Sequence, residues 1–225
     1  MKIFILTILM GAILGSASYS TTLADTSVGV GFSASNFATD RGLAVRDDSL
    51  GYSLNLTAPA ADGNLSIGLG LYDTDGSSED TDFSIAYSKG IEVFGQKFGA
   101  SASFSGFDSV FGDREEIAIG LTYKLALIDT SVSVWHDLDN EWYGVELGAS
   151  TSIATPIKDL SVTPFITLNL ADEYSAIEAG LKATYPISDK LSASAKVSYN
   201  NNDFEGSSFE VDNEWIIGAG VGFKF

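Results

Sequence analysis

Apolar residues alternate with small or polar ones through most of this chain, and this period of two is the feature that most restricts its fold. A period of two places successive side chains on opposite faces of a β-strand, whereas a helix needs apolar residues at i, i+3 and i+4. The alternation is clearest in five segments: 50–56, 65–71, 117–125, 191–199 and 215–225. No comparable stretch carries a helical stripe, so the chain is predicted to be all-β.

About twelve such segments occur, and each is close to the roughly 9–11 residues that a tilted strand needs to cross a membrane. They are predicted to begin near Thr26, Ser49, Gly63, Asp82, Lys97, Glu115, Thr130, Glu141, Asp159, Tyr174, Lys190 and Glu214. The stretch from Asp82 to Phe107 is the least regular, which leaves ten or eight strands as alternatives.

The connections between these segments alternate as well. One set is polar and acidic: 39–48, 73–82, 107–115, 137–141 and 200–213. The other set is tighter and has proline or apolar residues before the next strand: 58–63, 125–129, 155–159 and 185–190. Short turns at one end and longer loops at the other are typical of a membrane barrel. An even number of strands returns both termini to the same side, here the periplasm.

The second face of the strands carries mostly Gly, Ser, Ala, Thr and Asn, and the charges are concentrated in the connections. A secreted β-sandwich, the alternative, would need charged residues on its water-exposed face. Small polar residues suit the inside of a closed barrel whose apolar face contacts lipid. Closure is required because an open sheet edge leaves backbone groups unpaired in hydrocarbon. Residues 25–225 are therefore predicted to form a transmembrane antiparallel up-and-down β-barrel.

Aromatic residues fall at the predicted strand ends. Trp135, Trp142 and Trp215 lie next to the predicted outer loops, and Tyr185 and the terminal phenylalanines lie at the opposite end. Aromatic belts occupy both headgroup levels of a membrane. The three tryptophans are therefore predicted to be interfacial.

Residues 1–24 have the pattern of a secretory signal peptide. Lys2 precedes an apolar run from Ile3 to Leu14, and small residues follow. The run is shorter than the ~20 residues of an ordinary spanning helix. Cleavage is predicted after Ala24, with Ala17 or Ser18 as alternatives, and an uncleaved anchor is the other interpretation. The predicted location is the outer membrane of a Gram-negative-type bacterium.

Composition argues against a nucleic-acid partner and excludes cysteine-based chemistry. The 30 Asp and Glu against 12 Lys and Arg give a formal net charge of −18, whereas a nucleic-acid partner needs a basic face. The absence of cysteine excludes disulfides, thiol catalysis and thiolate metal sites. Excess surface carboxylate also suits a saline habitat, so acidity alone does not establish ion selectivity.

The last strand ends at Phe225, with Phe223, Val221, Ala219 and Ile217 on the same face. This pattern resembles the C-terminal strand of Gram-negative outer-membrane proteins. The resemblance implies that Phe223 and Phe225 act as an assembly signal for the barrel-assembly machinery, which can capture a strand by β-augmentation.

From Asp129 onward the chain resembles the TorF-type porins, over less than half its length. The similar segments are 131–139 (SVSVWHDLD), 143–148 (YGVELG) and 186–192 (PISDKLS). The resemblance implies a small porin-like barrel with no known catalytic residues.

Two sequence features are considered as possible catalytic or calcium-binding sites. His136 is the single histidine and shares its face with Val132 and Val134, which directs it towards the outer interface. It lacks a sequence partner of the kind a barrel phospholipase uses. The acidic segment Asp73–Asp82 resembles a calcium loop, but an EF-hand needs Glu at position twelve, which is Ser84 here. A solvated acidic loop is the simpler interpretation, with looser binding of a divalent cation as the alternative. No catalytic residue, metal or cofactor is predicted.

Eight charged residues fall on the small-residue face and are predicted to line a pore: Lys124, Lys182, Lys196, Lys224, Glu116, Glu146, Glu178 and Glu214. The wall would run from acidic at the external mouth to basic within, and such charges select ions. Alternatively these side chains pair across the lumen and close it, since a barrel of about twelve strands is only modestly wider than a filled eight-stranded one.

Three functional hypotheses follow. The first is a monomeric channel for passive diffusion of ions or small polar solutes. The second is a structural or surface-interaction barrel with a plugged lumen and acidic external loops. The third is a barrel enzyme centred on His136.

Overall fold

The computed structural model describes residues 27–41, 43–74, 78–108, 113–203 and 214–225, and strands account for most of them. The strands are β1 (Ser27–Asp40), β2 (Leu43–Ala60), β3 (Gly63–Thr74), β4 (Ser78–Val93), β5 (Gln96–Asp108), β6 (Arg114–Leu125), β7 (Ile128–Asp137), β8 (Tyr143–Ser150), β9 (Ile153–Ala154), β10 (Ser161–Ala171), β11 (Ser175–Pro186), β12 (Leu191–Asn202) and β13 (Glu214–Lys224). The predicted signal peptide lies outside the described residues and stays a prediction.

Consecutive strands pair in antiparallel fashion, and β1 pairs with β13 from Gly29↔Lys224 to Ser35↔Gly218, which closes the sheet into a barrel. The two-residue strand β9 pairs with the start of β10, next to the segment of β10 that pairs with β8. Strands β8 and β9 therefore share one position in the wall. The prediction of an all-β barrel with twelve strands is confirmed, and the alternatives of ten or eight strands are wrong.

Most strands begin within a few residues of the predicted positions, and β3 and β13 begin at the predicted Gly63 and Glu214. Strands β2 and β4 begin earlier, at Leu43 and Ser78, so much of two predicted acidic loops is strand. The difference arises because a backbone ladder needs no apolar side chains, so a hairpin can continue through polar sequence. Extended pairing carries the β1–β2 hairpin to Asp40 and Leu43.

The two ends of the barrel differ. At one end, two-residue turns join β2 to β3, β4 to β5 and β6 to β7. We call this the short-turn end. The turn of Phe94 and Gly95 has positive φ at both residues, 52° and 75°, as a type I′ hairpin requires. At the opposite end, named here the loop end, lie all the internal segments outside the described residues: 42, 75–77, 109–112 and 204–213. Much of the predicted acidic loops falls in those segments.

Each strand presents an apolar face outward and a small-residue face inward. On β6, Ile117, Ile119 and Leu121 point outward and are exposed, Ile119 by 70%. On β13, Gly218, Gly220 and Gly222 point inward, and Gly220 and Gly222 pair with Ser194 and Ser192 of β12. An exposed apolar band around a closed sheet is the surface of a membrane barrel. No helix long and apolar enough to span a bilayer occurs among the described residues.

Candidate functional site in the barrel lumen

A cluster of charged side chains lies inside the barrel near the loop end. It consists of Arg41 on the β1–β2 turn, Arg114 and Glu116 on β6, Asp137 at the end of β7, and Glu146 on β8. We name these five residues the arginine–carboxylate network. Four of the side chains are 3% exposed or less, and that of Glu146 is 13% exposed.

Arg41 holds two carboxylates. Its Nε and Nη2 donate to Glu116 Oε2 and Oε1 at 3.0 and 2.7 Å, a bidentate arrangement. Its Nη1 lies 2.9 Å from Glu146 Oε1. Arg114 completes the network, with Nη2 3.2 Å from Glu116 Oε2 and Nε 2.5 Å from Asp137 Oδ2. Glu116 therefore joins the two arginines.

The network crosses the lumen. Arg41 belongs to the β1–β2 hairpin, whereas Glu116 and Glu146 belong to β6 and β8. Three strands separate β2 from β6 along the wall, and four strand positions separate β1 from β8 in the other direction. The tip of the β1–β2 hairpin therefore reaches the opposite wall of the barrel. The guanidinium group of Arg41 narrows the lumen at the level of the network.

Trp135 packs beneath the network. Its indole is 1% exposed, its Nε1 donates to Asn169 Oδ1 at 2.8 Å, and its ring lies 6.4 Å from that of Tyr174. The guanidinium carbons of Arg41 and Arg114 lie 5.7 and 5.3 Å from the ring centroid, within the range of cation–π attraction. The indole thus orients both arginines.

Gly144 makes room for this indole. A Cβ at Gly144 would lie 2.7 Å from Trp135 Cζ2 and 2.7 Å from the carbonyl oxygen of Leu170. The backbone oxygen cannot move away easily. Glycine is therefore required at this position on β8 for the ring to lie flat against the wall.

Asp137 links the network to the β7–β8 turn. Its Oδ1 accepts from the backbone N–H groups of Asp139 and Asn140, both at 3.0 Å. Its Oδ2 accepts from Asn140 Nδ2 at 3.0 Å as well as from Arg114. This carboxylate is fully buried, and it is compensated by four donors.

Each charge in the network depends on its partners, because a buried charge without a partner lowers the stability of the folded protein. Removing one partner of a buried ion pair typically costs about 3–5 kcal/mol, since the other charge remains without compensation. The two guanidinium groups face three carboxylates, so the network carries an excess of negative charge when all five side chains are ionised.

A second charged group lies in the middle of the lumen. Lys196 Nζ lies 2.5 Å from Glu178 Oε1 and 5.4 Å from the ring centroid of Phe165. Lys182 on β11 is the direct cross-strand partner of Lys196 on β12. Both lysines are on the inward face.

The remaining pore-lining candidates lie near the barrel ends. Lys124 pairs with Asp129 at 2.8 Å beside the β6–β7 turn, and its side chain is well exposed. Lys224 is exposed at the short-turn end, and Glu214 is exposed at the loop end. All eight candidates are on the inward parity of their strands, but Glu116 and Glu146 belong to the network and are not open to solvent. The pore-lining role itself stays a prediction.

Between the network and the short-turn end, small side chains dominate the wall. The inward residues there include Gly29, Gly31, Ser33, Ser53, Ser66, Ser88, Gly99, Ser101, Gly120, Ser131, Gly148, Ser194 and Gly220. Such residues extend little into the lumen, so these positions add little side-chain volume to this part of the barrel.

The prediction for Trp135 requires correction, because it faces the lumen and not the membrane interface. The alternation itself contains the signal: Trp135 shares parity with Ser131 and Ser133, and His136 shares parity with the outward valines. Trp142 lies in the β7–β8 loop and packs against Tyr174 with ring centroids 6.1 Å apart. Trp215 points outward, is 60% exposed, and packs on Tyr199.

Phe223 and Phe225 stack edge to face at 4.7 Å at the end of β13. The Phe225 N–H donates to the carbonyl oxygen of Val28 at 2.9 Å, so the terminus is joined to β1. This hydrogen bond extends the β1–β13 pairing that closes the barrel. The role of the two phenylalanines as an assembly signal stays a prediction.

His136 points outward between Ile117 of β6 and Tyr143 of β8, its cross-strand partners. Its Nδ1 lies 3.0 Å from the carbonyl oxygen of Trp142. Neither cross-strand partner is a nucleophile, so this geometry offers no support for the enzyme hypothesis. Within the described ranges no group of three or more His, Asp or Glu side chains is arranged to hold a metal ion.

Exposed carboxylates add negative charge at both ends. The pKa of Asp203 at the loop end is lowered, first by the backbone N–H of Ser175 and then by its hydroxyl. The pKa of Asp62 in the β2–β3 turn is lowered, first by the hydroxyl of Tyr87 and then by Lys89. Both groups are therefore ionised at neutral pH.

Sequence reasoning missed three of the five network residues: Arg41, Arg114 and Asp137. Arg114 and Asp137 lie on the small-residue parity of β6 and β7, so the alternation could have assigned them to the lumen. Arg41 has no such signal, because it sits in a turn with a left-handed φ of 52°. Its reach across the barrel depends on how the hairpin folds.

Comparison with solved structures identifies the class of fold. The chain is similar to the NanC porin, with 12% identity, a TM-score of 0.57 and coverage of 87% of this chain and 100% of that one. It is similar to the KdgM porin, with 11% identity, a TM-score of 0.56 and coverage of 88% and 99%. It is also similar to the COG4313 outer membrane channel from Pseudomonas putida F1, with 12% identity, a TM-score of 0.55 and coverage of 93% and 99%.

The protein therefore has the fold of outer-membrane porins and channels. At these identities the likeness establishes the fold alone. No protein-family model and no curated protein sequence matches the chain, so the resemblance to the TorF-type porins stays a prediction.

Proposed function

We propose that the protein is a passive channel for ions or small polar solutes in the outer membrane of a Gram-negative-type bacterium. The observation that carries this proposal is the contrast inside the barrel. Many of the inward residues between the middle of the lumen and the short-turn end are glycine or serine, whereas a charged network extends across the lumen near the loop end. Rings of charged side chains are one arrangement by which pores select ions.

The charges of the constriction and of the loop end favour cations. Glu116, Glu146 and Asp137 outnumber the two arginines, and ionised carboxylates lie at the loop end. Negative charge concentrates cations at the mouth. Solutes approaching from the loop end therefore meet a cation-favouring region first. The lysines in the middle of the lumen then favour anions.

The partners in this proposal are membrane lipid, which contacts the apolar outer face, and the transported ions or small polar solutes. The barrel closes on itself through β1 and β13, so a monomer suffices to form the pore. The barrel-assembly machinery is the proposed partner during insertion.

Orientation gives a testable prediction, because the chain has no cysteine to interfere with labelling. A cysteine replacing Asp139, in the β7–β8 turn at the loop end, should react on intact cells with a maleimide that cannot cross the outer membrane. A cysteine replacing Ser188, in the β11–β12 turn at the short-turn end, should react only after the cells are lysed. The opposite result would reverse the proposed orientation.

Single-channel current tests the function itself. Protein refolded in detergent and inserted in a planar bilayer should give small discrete conductance steps in KCl. The reversal potential in a KCl gradient reports which of the two charged regions dominates. Resistance of the folded barrel to denaturation in unboiled gel samples serves as the control for folding. Silence from folded, inserted protein would contradict the channel.

A plugged structural or surface-interaction barrel is the second candidate. Full burial of Asp82, Asp137 and Asn200, on three different strands near the loop end, favours it. Side chains that no water molecule reaches leave little space for a permeating solute at that level. In that case the acidic loop end would be the contact surface, and the conductance measurement separates the two candidates.

A further inference from the structure

Two lysines face each other across the β11–β12 ladder in the middle of the lumen. Lys182 and Lys196 are direct cross-strand partners. Directly opposed residues of an antiparallel pair have Cβ atoms only about 4.5–5.5 Å apart, and like charges in these positions are destabilising. The lumen wall thus keeps a repulsive pair where a neutral residue would be more stable.

One of the two charges is compensated and the other is not. Glu178, two inward positions from Lys182 along β11 towards the loop end, pairs with Lys196, and the ring centroid of Phe165 lies 5.4 Å from the same ammonium group. Among the described residues no carboxylate forms an ion pair with Lys182. The group of Lys182, Lys196 and Glu178 therefore has one positive charge in excess.

The inward residues next to the two lysines are glycine or carry hydroxyl groups, which suit a ligand with oxygen atoms. Gly180 precedes Lys182 on the inward face, and Gly218 lies opposite Lys196. Thr184 and Ser194, which are paired with each other in the next inward row, present hydroxyl groups beside the two lysines. Hydroxyls donate hydrogen bonds to a carboxylate, and a half-buried ammonium group strengthens such contacts.

We propose that Lys182 and Lys196 form a binding site for a monocarboxylate anion on the β11–β12 wall of the lumen. One excess positive charge matches one carboxylate. Its two oxygens can contact both ammonium groups, which removes the repulsion between them. Phe165 and Glu178 position Lys196, and Lys182 supplies the uncompensated charge. That this anion is a transported solute rests on the proposed channel function, whereas the binding itself does not.

Ligand-observed NMR tests the site without requiring current. Refolded wild-type protein in zwitterionic detergent micelles should broaden the methyl signal of acetate in a saturable manner. The Lys182→Met variant keeps the length of the side chain and removes its charge. It should weaken acetate binding about tenfold, the loss expected for one charged hydrogen bond.

Two further variants control for folding and for general charge. Lys182→Arg keeps the positive charge and should keep the broadening. Lys190→Met removes an exposed lysine of the β11–β12 turn at the short-turn end and should leave acetate binding unchanged. Equal broadening by wild type and Lys182→Met would overturn the proposal, as would equal losses in Lys182→Met and Lys190→Met.

Chloride competition identifies the class of anion. Acetate that remains bound at an equal concentration of chloride supports a carboxylate site, and displacement by equal chloride would overturn that assignment. A wild-type protein that binds acetate but passes no current would contradict the channel only. A conducting protein whose Lys182→Met variant binds acetate normally would contradict the site only.

Discussion

Replacing Arg41 with alanine should raise the single-channel conductance severalfold and shift the reversal potential towards cation selectivity. Arg41 joins the β1–β2 hairpin to Glu116 and Glu146 on the opposite wall. Its loss releases the hairpin from that wall and leaves the carboxylates with one arginine. The passage becomes wider and more negative, and bilayer recording in a KCl gradient measures both changes.

Two companion variants make this result interpretable. The double variant Arg41→Ala/Glu146→Gln removes the charge that the single variant leaves uncompensated, so it should keep the larger conductance and lose part of the cation selectivity. Lys89→Ala removes a cation whose partner Asp62 lies in a turn at the short-turn end, and it should leave conductance unchanged. Unaltered conductance in Arg41→Ala would show that the network does not limit flow.

Placing arginine at Ile119 should lower the free energy of unfolding by about 2–4 kcal/mol, the cost of a lipid-facing arginine at the middle of a bilayer. Ile119 lies in the middle of β6 and is 70% exposed. In a water-soluble protein an exposed position of this kind would accept arginine at little cost. Denaturant titration of protein inserted in lipid vesicles, followed by tryptophan fluorescence, measures the difference.

Leu127→Arg is the matched control, because Leu127 is 78% exposed and lies in the β6–β7 turn at the end of the barrel. Its unfolding free energy should change far less, since the arginine there reaches water. Equal tolerance at both positions would contradict a lipid-facing outer surface of the barrel.

The alternating pattern predicted most of the strands and the closure of the sheet, and it indicated about twelve strands while leaving ten or eight as alternatives. A strand has only two faces, so parity assigns each side chain to one of them. Hydrocarbon forbids an unpaired edge, so a membrane sheet must close. The positions of Lys182, Lys196 and Glu178 on the inward face follow from the same parity. The extra length of β2 and β4 was missed because polar hairpins pair through the backbone alone.

Parity states which face a residue occupies but not what it meets across the lumen. Glu116 and Glu146 were assigned to the inward face, yet their partner Arg41 lies 75 positions from Glu116 and further still from Glu146, on a turn that no periodicity describes. Buried charges are stable only when paired, and their partners come from strands that are distant along the chain. The alternation alone therefore defines the barrel and its lining. The three-dimensional packing defines the constriction, because it depends on where one hairpin tip lies relative to the opposite wall.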